Sequence, residues 1–119
     1  MENRRKTVLV VDDNVALLDA LDTLLSDEYA VIPAADAYQA LEVLADVEPA
    51  IIFLDCFMPG YHGLQLLREI RQMGVNSQVV IITAAEPSLL GDEIQNLGVN
   101  GFLPKPFDVK AIEEFAAAA

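Results

Sequence analysis

Basic residues are scarce in this chain: seven Lys and Arg stand against nineteen Asp and Glu, a formal net charge of -12 over 119 residues. Nucleic-acid backbones are gripped by clustered Lys and Arg, so the deficit argues against direct nucleic-acid binding by this domain. Long hydrophobic runs are also missing. None approaches the roughly 20 apolar residues that span a bilayer, and Met1-Glu2-Asn3-Arg4-Arg5-Lys6 leads into a strand without a signal-peptide hydrophobic region. These absences predict a soluble, cytoplasmic protein with no membrane partner. The single cysteine, Cys56, cannot close an internal disulfide and makes no zinc pattern, which fits a reducing compartment. No glycine-rich phosphate loop follows the first strand, which removes support for a flavin-binding or nucleotide-binding domain.

Apolar residues are plentiful: 54% of the chain, with a mean hydropathy of +0.36, is ample for a core in one domain. Strand-like runs alternate with segments of helical period, the pattern of repeated βα units around a parallel sheet. Thr7 to Val11 is the first strand. The helix after it carries an apolar stripe at Val15, Leu18, Leu21 and Leu25. Tyr29 to Ala34 is the second strand, and Asp36 with Gln39 forms a capping box for a helix through Ala40, Leu41, Val43 and Leu44 that stops before Pro49. Ile51 to Leu54 is the third strand, ending at Asp55. A turn-rich stretch from Met58 to Gly63 precedes a third helix packed through Leu64, Leu67, Ile70 and Met73 and stopped by Gly74. Gln78 to Ile82 is the fourth strand. A fourth helix is expected over Ser88 to Leu97, capped by Gly98, then a strand over Gly101 to Leu103 and a last helix from Asp108 to about Phe115. No repeat, linker or second composition zone appears, so residues 1–119 read as one domain with a core of about 6–115 and an alanine tail at 116–119.

Four of the apolar runs end in chemistry: Val8 to Val11 in Asp12-Asp13, Ile51 to Leu54 in Asp55, Val79 to Ile82 in Thr83, and Phe102-Leu103 in Pro104-Lys105. In open α/β sheets ligands bind at the carboxyl ends of the strands, so all of these groups belong on one rim. Asp is also a common helix cap, and one Asp suffices for that. Three carboxylates together need compensation, because pairs roughly 4 to 5 Å apart repel by about 3 to 4 kcal/mol at an effective dielectric near 20. Mg²⁺ suits such a rim, taking a few carboxylate oxygens and completing its octahedron with water and phosphate. An aspartate is ordinarily ionised at pH 7 and attacks phosphorus without a general base, so Asp55 is the candidate phosphoacceptor. The motifs supply no base to activate water, which separates an acceptor from a hydrolase. Lys105, held between Pro104 and Pro106, points its ammonium in a restricted direction, toward a phosphoryl oxygen or Asp55. Thr83 offers a hydroxyl at the same rim, with space left by Ala84-Ala85.

These residues resemble the receiver domain of two-component response regulators over about Lys6 to Phe115. The resemblance rests on Val10-Val11-Asp12-Asp13-Asn14, on Asp55 followed by Met58-Pro59-Gly60 and Gly63, on Thr83-Ala84, and on Gly101 to Phe107. It implies an α/β, flavodoxin-like (βα)5 doubly wound fold, with a parallel sheet in the order 2-1-3-4-5 and helices on both faces. It also implies roles. Asp55 becomes the phosphoacceptor, supplied by a sensor histidine kinase or a histidine phosphotransfer protein. Asp12, Asp13, Asp55 and the Phe57 main-chain carbonyl become Mg²⁺ ligands. Thr83 and Lys105 become the switch hydroxyl and the phosphate-binding lysine, Phe102 becomes the switch aromatic, and the Lys105-Pro106 bond is expected to be cis. A downstream effector or output domain would read the face of the fourth helix, fifth strand and fifth helix, which is also the place to look for a homodimer. Such a chain is no enzyme beyond phosphorylating and dephosphorylating itself.

Departures from the family pattern concern the surroundings of the acceptor. Phe57 is bulkier and less polar than is usual two residues after the acceptor, and Ala85 is small, so a phosphoryl group shielded by Phe57 and slow to hydrolyse is expected. A haloacid dehalogenase phosphatase needs a second acid at the position of Phe57. A receiver-like interaction domain without phosphorylation remains the alternative, although such domains have usually lost a pocket residue. Cys56 reads as a strand-end filler, His62 as a solvated loop residue, and Arg4-Arg5-Lys6 as a soluble tail; Met58 and Tyr61 fit loop packing or a partner surface equally.

Overall fold

Val8, Leu9, Val10 and Val11 are fully buried, and so are Ile51 to Leu54 and Val79 to Ile82. Such runs fit only strands covered on both faces, and each fully buried Leu, Ile or Phe side chain is worth about 1.5–3 kcal/mol over an exposed one. The computed structural model describes residues 5–55, 57–58, 61–83, 93–105 and 107–119. The three buried runs become β1 (Thr7–Val11), β3 (Ile51–Asp55) and β6 (Gln78–Thr83), with β2 (Ala30–Ala34) and β7 (Gly101–Pro104) outside them. The parallel order is β2-β1-β3-β6-β7, which is the expected 2-1-3-4-5 when the sheet's strands are counted in chain order. Pro33 and Pro104, which cannot donate to a ladder, lie in the two edge strands.

Alternation along the strands divides the core into two layers. Leu9, Val11, Ile52, Leu54 and Ile81 pack with α2 (Ala37–Asp46), α3 (Gly63–Gln72) and Ile94 of α4 (Glu93–Asn96). Val10, Phe53, Val80 and Ile82 pack with Leu18 and Leu21 of α1 (Val15–Leu25) and with Ile112 of α5 (Val109–Ala118). Among the described residues, no helix is long and apolar enough to cross a membrane.

Local signals set most boundaries. Asp36 caps α2, its Oδ1 accepting from the Gln39 N–H at 2.8 Å, while Gln39 Oε1 accepts from the Ala35 N–H at 2.8 Å, one residue before the expected arm of the capping box. Gly74 (φ +83°) and Gly98 (φ +72°) lie in the left-handed region, as glycines that terminate helices do. Two expected stripes need correction. Val15 is 61% exposed and Met73 45% exposed, while Leu66 is buried. Three steps of three residues each fall about 60° short of a turn, so Leu64 and Met73 cannot share a face of α3; the buried set is Gly63, Leu66, Leu67 and Ile70.

The stretch after Asp55, expected to be turn alone, contains the two-stranded antiparallel pair β4 (Phe57–Met58) and β5 (Tyr61–His62). β6 runs on to Thr83, β7 to Pro104 and α5 to Ala118. Of the expected fourth helix only Glu93–Asn96 is described as helix, and 88–92 lie outside the described residues. The basic tail is not simply solvated: Arg5 Nη1 donates to Ser26 O at 2.6 Å at the end of α1, and Lys6 Nζ donates to Ala119 O, while Arg4 lies outside the described residues.

Candidate phosphoacceptor site

Strand register brings the candidate residues together. Val11 pairs with Leu54, so Asp12 stands level with Asp55; Asp55 pairs with Ile82, so Thr83 comes one step later; Thr83 pairs with Pro104, so Lys105 follows. Main-chain bonds hold this stair in place, with Asp12 N–H donating to Ala34 O at 3.1 Å and Lys105 N–H to Thr83 O at 2.8 Å. Asp12, Asp55 and Thr83 are all buried, and acids are seldom buried unless they are paired.

Helix capping does not account for the acids. Asn14, not an Asp, caps α1: its Oδ1 accepts from the Leu17 N–H at 3.3 Å. Asp12 Oδ1 accepts from the Asn14 N–H at 2.9 Å, which orients the carboxylate and leaves Oδ2 turned away from that turn. Asp12 Oδ2 is buried and accepts no hydrogen bond. Its compensation is ionic, from Lys105 Nζ at 3.2 Å.

One oxygen of each of Asp12, Asp13 and Asp55 lies within 4.8 Å of the others, with Asp13 exposed and the other two buried. Lys105 Nζ also stands 3.6 Å from Asp55 Oδ2, so one ammonium serves two carboxylates. Three negative charges against one positive leave the rim short of about two positive charges, and the buried Asp12 Oδ2 is met only by the shared ammonium, without a hydrogen bond. A divalent cation with oxygen preference meets both needs. Beside Lys105 lies a cavity of about 430 Å³ lined by Asn14, Leu17, Lys105 and Phe107.

Phe102 lies half-buried on β7 and packs, like Leu97 and Val99, against the layer that contains Leu9 and Ile81. Its neighbour Leu103 faces the opposite layer. Phe57 opens β4, opposite His62. Cys56, Pro59, Gly60, Ala84, Ala85 and the Lys105-Pro106 bond lie outside the described residues. Two residues were missed by the sequence reading. Asn14 was legible as a cap residue, whereas Arg71 was marked only by a basic charge in the last turn of α3; its guanidinium donates to four main-chain carbonyls, and burial lowers its pKa from the ordinary arginine value.

Known proteins resemble the chain in sequence and fold. Residues 8–117 match the family model of the response regulator receiver domain. Response regulator MprA of Mycobacterium sp. (strain KMS) is 34% identical over 113 residues, covering 92% of this chain and 47% of that protein; the Mycobacterium ulcerans (strain Agy99) protein of the same name is 35% identical with the same coverage. The chain thus spans about half the length of these relatives. Among solved structures, the signal receiver domain of an HD domain-containing protein from Pseudomonas fluorescens Pf-5 superposes with a TM-score of 0.84 at 29% identity, covering 97% of this chain and 93% of that one. A CheY-like response regulator receiver domain protein from Methanospirillum hungatei JF-1 shares the fold, with a TM-score of 0.89 at 22% identity and the same coverages. The buried strands and their order are therefore those of a known signalling module, and the chain belongs to the response regulator receiver domains of two-component signalling.

Proposed function

We propose that Asp55 accepts a phosphoryl group from a histidine kinase or a histidine phosphotransfer protein. An Asp55 carboxylate oxygen attacks phosphorus, the phosphorus–nitrogen bond of the donor breaks, and the imidazole leaves with that electron pair. The product is an aspartyl phosphate. The observation that carries this reading is the charge balance of the rim: three carboxylates within 4.8 Å, one lysine 3.2 and 3.6 Å from two of them, and a buried Asp12 oxygen that this lysine meets as an ion pair without a hydrogen bond.

Mg²⁺ fits that set of donors, held by Asp12, Asp13, Asp55 and the Phe57 carbonyl, and when bound it would neutralise charge on the acids and on the phosphoryl oxygens. Lys105 then has a second task, since its ammonium binds a phosphoryl oxygen as a point charge. Thr83 supplies a hydroxyl from the neighbouring strand end. Phosphorylation adds nearly two negative charges and three acceptor oxygens. Drawing Thr83 toward them vacates space on its side of the sheet, and Phe102, half-buried on the next strand, turns into it. The surface of α4, β7 and α5 changes, and a downstream effector or output domain reads it.

Response regulators interact with histidine kinases and effector domains, and receiver domains are generally not enzymes in their own right. Self-phosphorylation from a small donor is the finer claim. Intact mass after incubation with a small acyl phosphate tests it: one phosphoryl group should be gained with Mg²⁺, not without it, and not in Asp55→Asn. A folded protein that gains no adduct would favour an interaction domain that works without phosphorylation.

A further inference from the structure

Away from the acid rim, Arg71 builds the densest polar junction among the described residues. Its Nε donates to Leu97 O at 2.8 Å, Nη1 to Val75 O and Ser77 O at 2.9 Å each, and Nη2 to Gly98 O at 3.1 Å. Two of these acceptors terminate α4 and two belong to the loop between α3 and β6. Helix-end carbonyls have no partner within their helix, and a cation there also complements the helix dipole. A guanidinium suits the task because its donors point in fixed directions, whereas an ammonium is a point charge.

The same segment is held at two further points. Ile94 is buried against the sheet. Asn100 mimics a strand partner for Val79, its N–H donating to Val79 O at 2.8 Å while its Oδ1 accepts from the Val79 N–H at 2.9 Å. The Arg71 and Asn100 attachments, at Ser77 and Val79, lie at the start of β6, and Thr83 is at its end, about 13 Å or more away at the usual strand rise. Leu97, Val99 and Phe102 all pack against one core layer, so the anchored segment shares that layer with Phe102.

We propose that Arg71 is the anchored end of the switch surface: it ties the segment from Ile94 to Asn100 to the α3–β6 loop, so that a rearrangement begun at Thr83 stops there and is expressed on the rim side. The inference rests on the phosphoacceptor reading above. Arg71 is thus a positioning residue whose effect shows in how far the signal spreads, not in whether phosphate is accepted.

Amide hydrogen exchange, followed by NMR with and without beryllofluoride plus Mg²⁺ as a phosphoryl mimic, tests this in the wild type, Arg71→Lys and Arg71→Met. In the wild type the mimic should alter exchange near Thr83 and leave Leu97 and Asn100 within about twofold. In Arg71→Met those two amides should exchange at least about fivefold faster before any addition, the loss expected for a local opening that has lost its hydrogen bonds. The mimic should then shift them further, while the amides of Leu9 and Phe53 stay as in the wild type. Arg71→Lys should fall between the two. The proposal is overturned if the mimic moves Leu97 and Asn100 in the wild type as much as Thr83, if Arg71→Met responds no more than the wild type, or if every core amide loses protection equally. A wild type in which no amide responds, Thr83 included, would overturn the phosphoacceptor reading itself and this inference with it.

Discussion

Replacing an acid of the rim should make the metal-free protein more stable, and Asp13→Asn is the cleanest case. Asp13 lies within 4.8 Å of both Asp12 and Asp55. Each such pair repels by about 3.5 kcal/mol at an effective dielectric of 20 and about 0.9 kcal/mol in water. Asp13 is exposed, so the value near that of water governs, and exposed charge pairs are commonly worth under about 1 kcal/mol each. The ion pairs of Lys105 go to Asp12 and Asp55, so the substitution relieves repulsion and keeps both attractions. Asn is nearly isosteric. The expected gain is about 1–2 kcal/mol in unfolding free energy, or a rise in Tm of about 3–10 °C for a chain of this size. Urea unfolding in EDTA reads it directly, with an unchanged m-value showing that compactness is unaltered. Millimolar Mg²⁺ should raise the midpoint of the wild type by mass action and leave the variant unmoved, narrowing or reversing the gap. A variant equal to or less stable than the wild type in EDTA would refute the charge balance deduced from the rim. Asp55→Asn should gain less, because it also gives up the 3.6 Å contact with Lys105.

Other substitutions separate the supporting parts. Asn14→Ala removes the cap of α1 and should cost about 1 kcal/mol in denaturant unfolding. Gly101→Ala would set a Cβ 2.6 Å from Phe115 Cε1 and 2.7 Å from Cζ, an overlap expected to cost about 1–3 kcal/mol; Phe115→Leu in the same chain should recover much of it in a double-mutant cycle. Phe57→Asn places a polar amide two residues after the acceptor. It should shorten the lifetime of the aspartyl phosphate by about tenfold or more, the scale of a positioned group acting on water, as followed by decay of the phosphorylated mass; a rate that does not increase would sink the shielding role.

The sheet and its rim were legible in the sequence because buried strands advertise themselves. Val8 to Val11, Ile51 to Leu54 and Val79 to Ile82 have no polar face, and parallel pairing brings whatever follows them to one edge. Asp12, Asp13, Asp55, Thr83 and Lys105 needed no finer detail to be placed together. The finer detail was not encoded locally. That Lys105 is shared by Asp12 and Asp55 follows from the successive strand registers, which bring together residues that are distant in sequence. Helical stripes failed where steps of three accumulated, as at Met73, and where a residue opened its helix, as at Val15. Asn14 took the cap because Asp12 Oδ1 was already engaged with the Asn14 N–H. The role of Arg71 could not be read beyond a basic charge in the last turn of α3, since its four acceptors are carbonyls brought together by the fold, and main-chain oxygens leave no trace in the sequence.

Phosphorylation of Asp55, proposed above, is open to a direct chemical test. Borohydride reduces an acyl phosphate of aspartate to homoserine, so treating the protein with a small acyl phosphate and Mg²⁺, reducing it, and mapping its peptides by mass locates the acceptor. Homoserine is expected at position 55 and nowhere else, and it should be lost when Mg²⁺ is replaced by EDTA. Homoserine at Asp12 or Asp13, a stable phosphoryl adduct on His62, or an unmodified chain with native circular dichroism would contradict phosphorylation at Asp55.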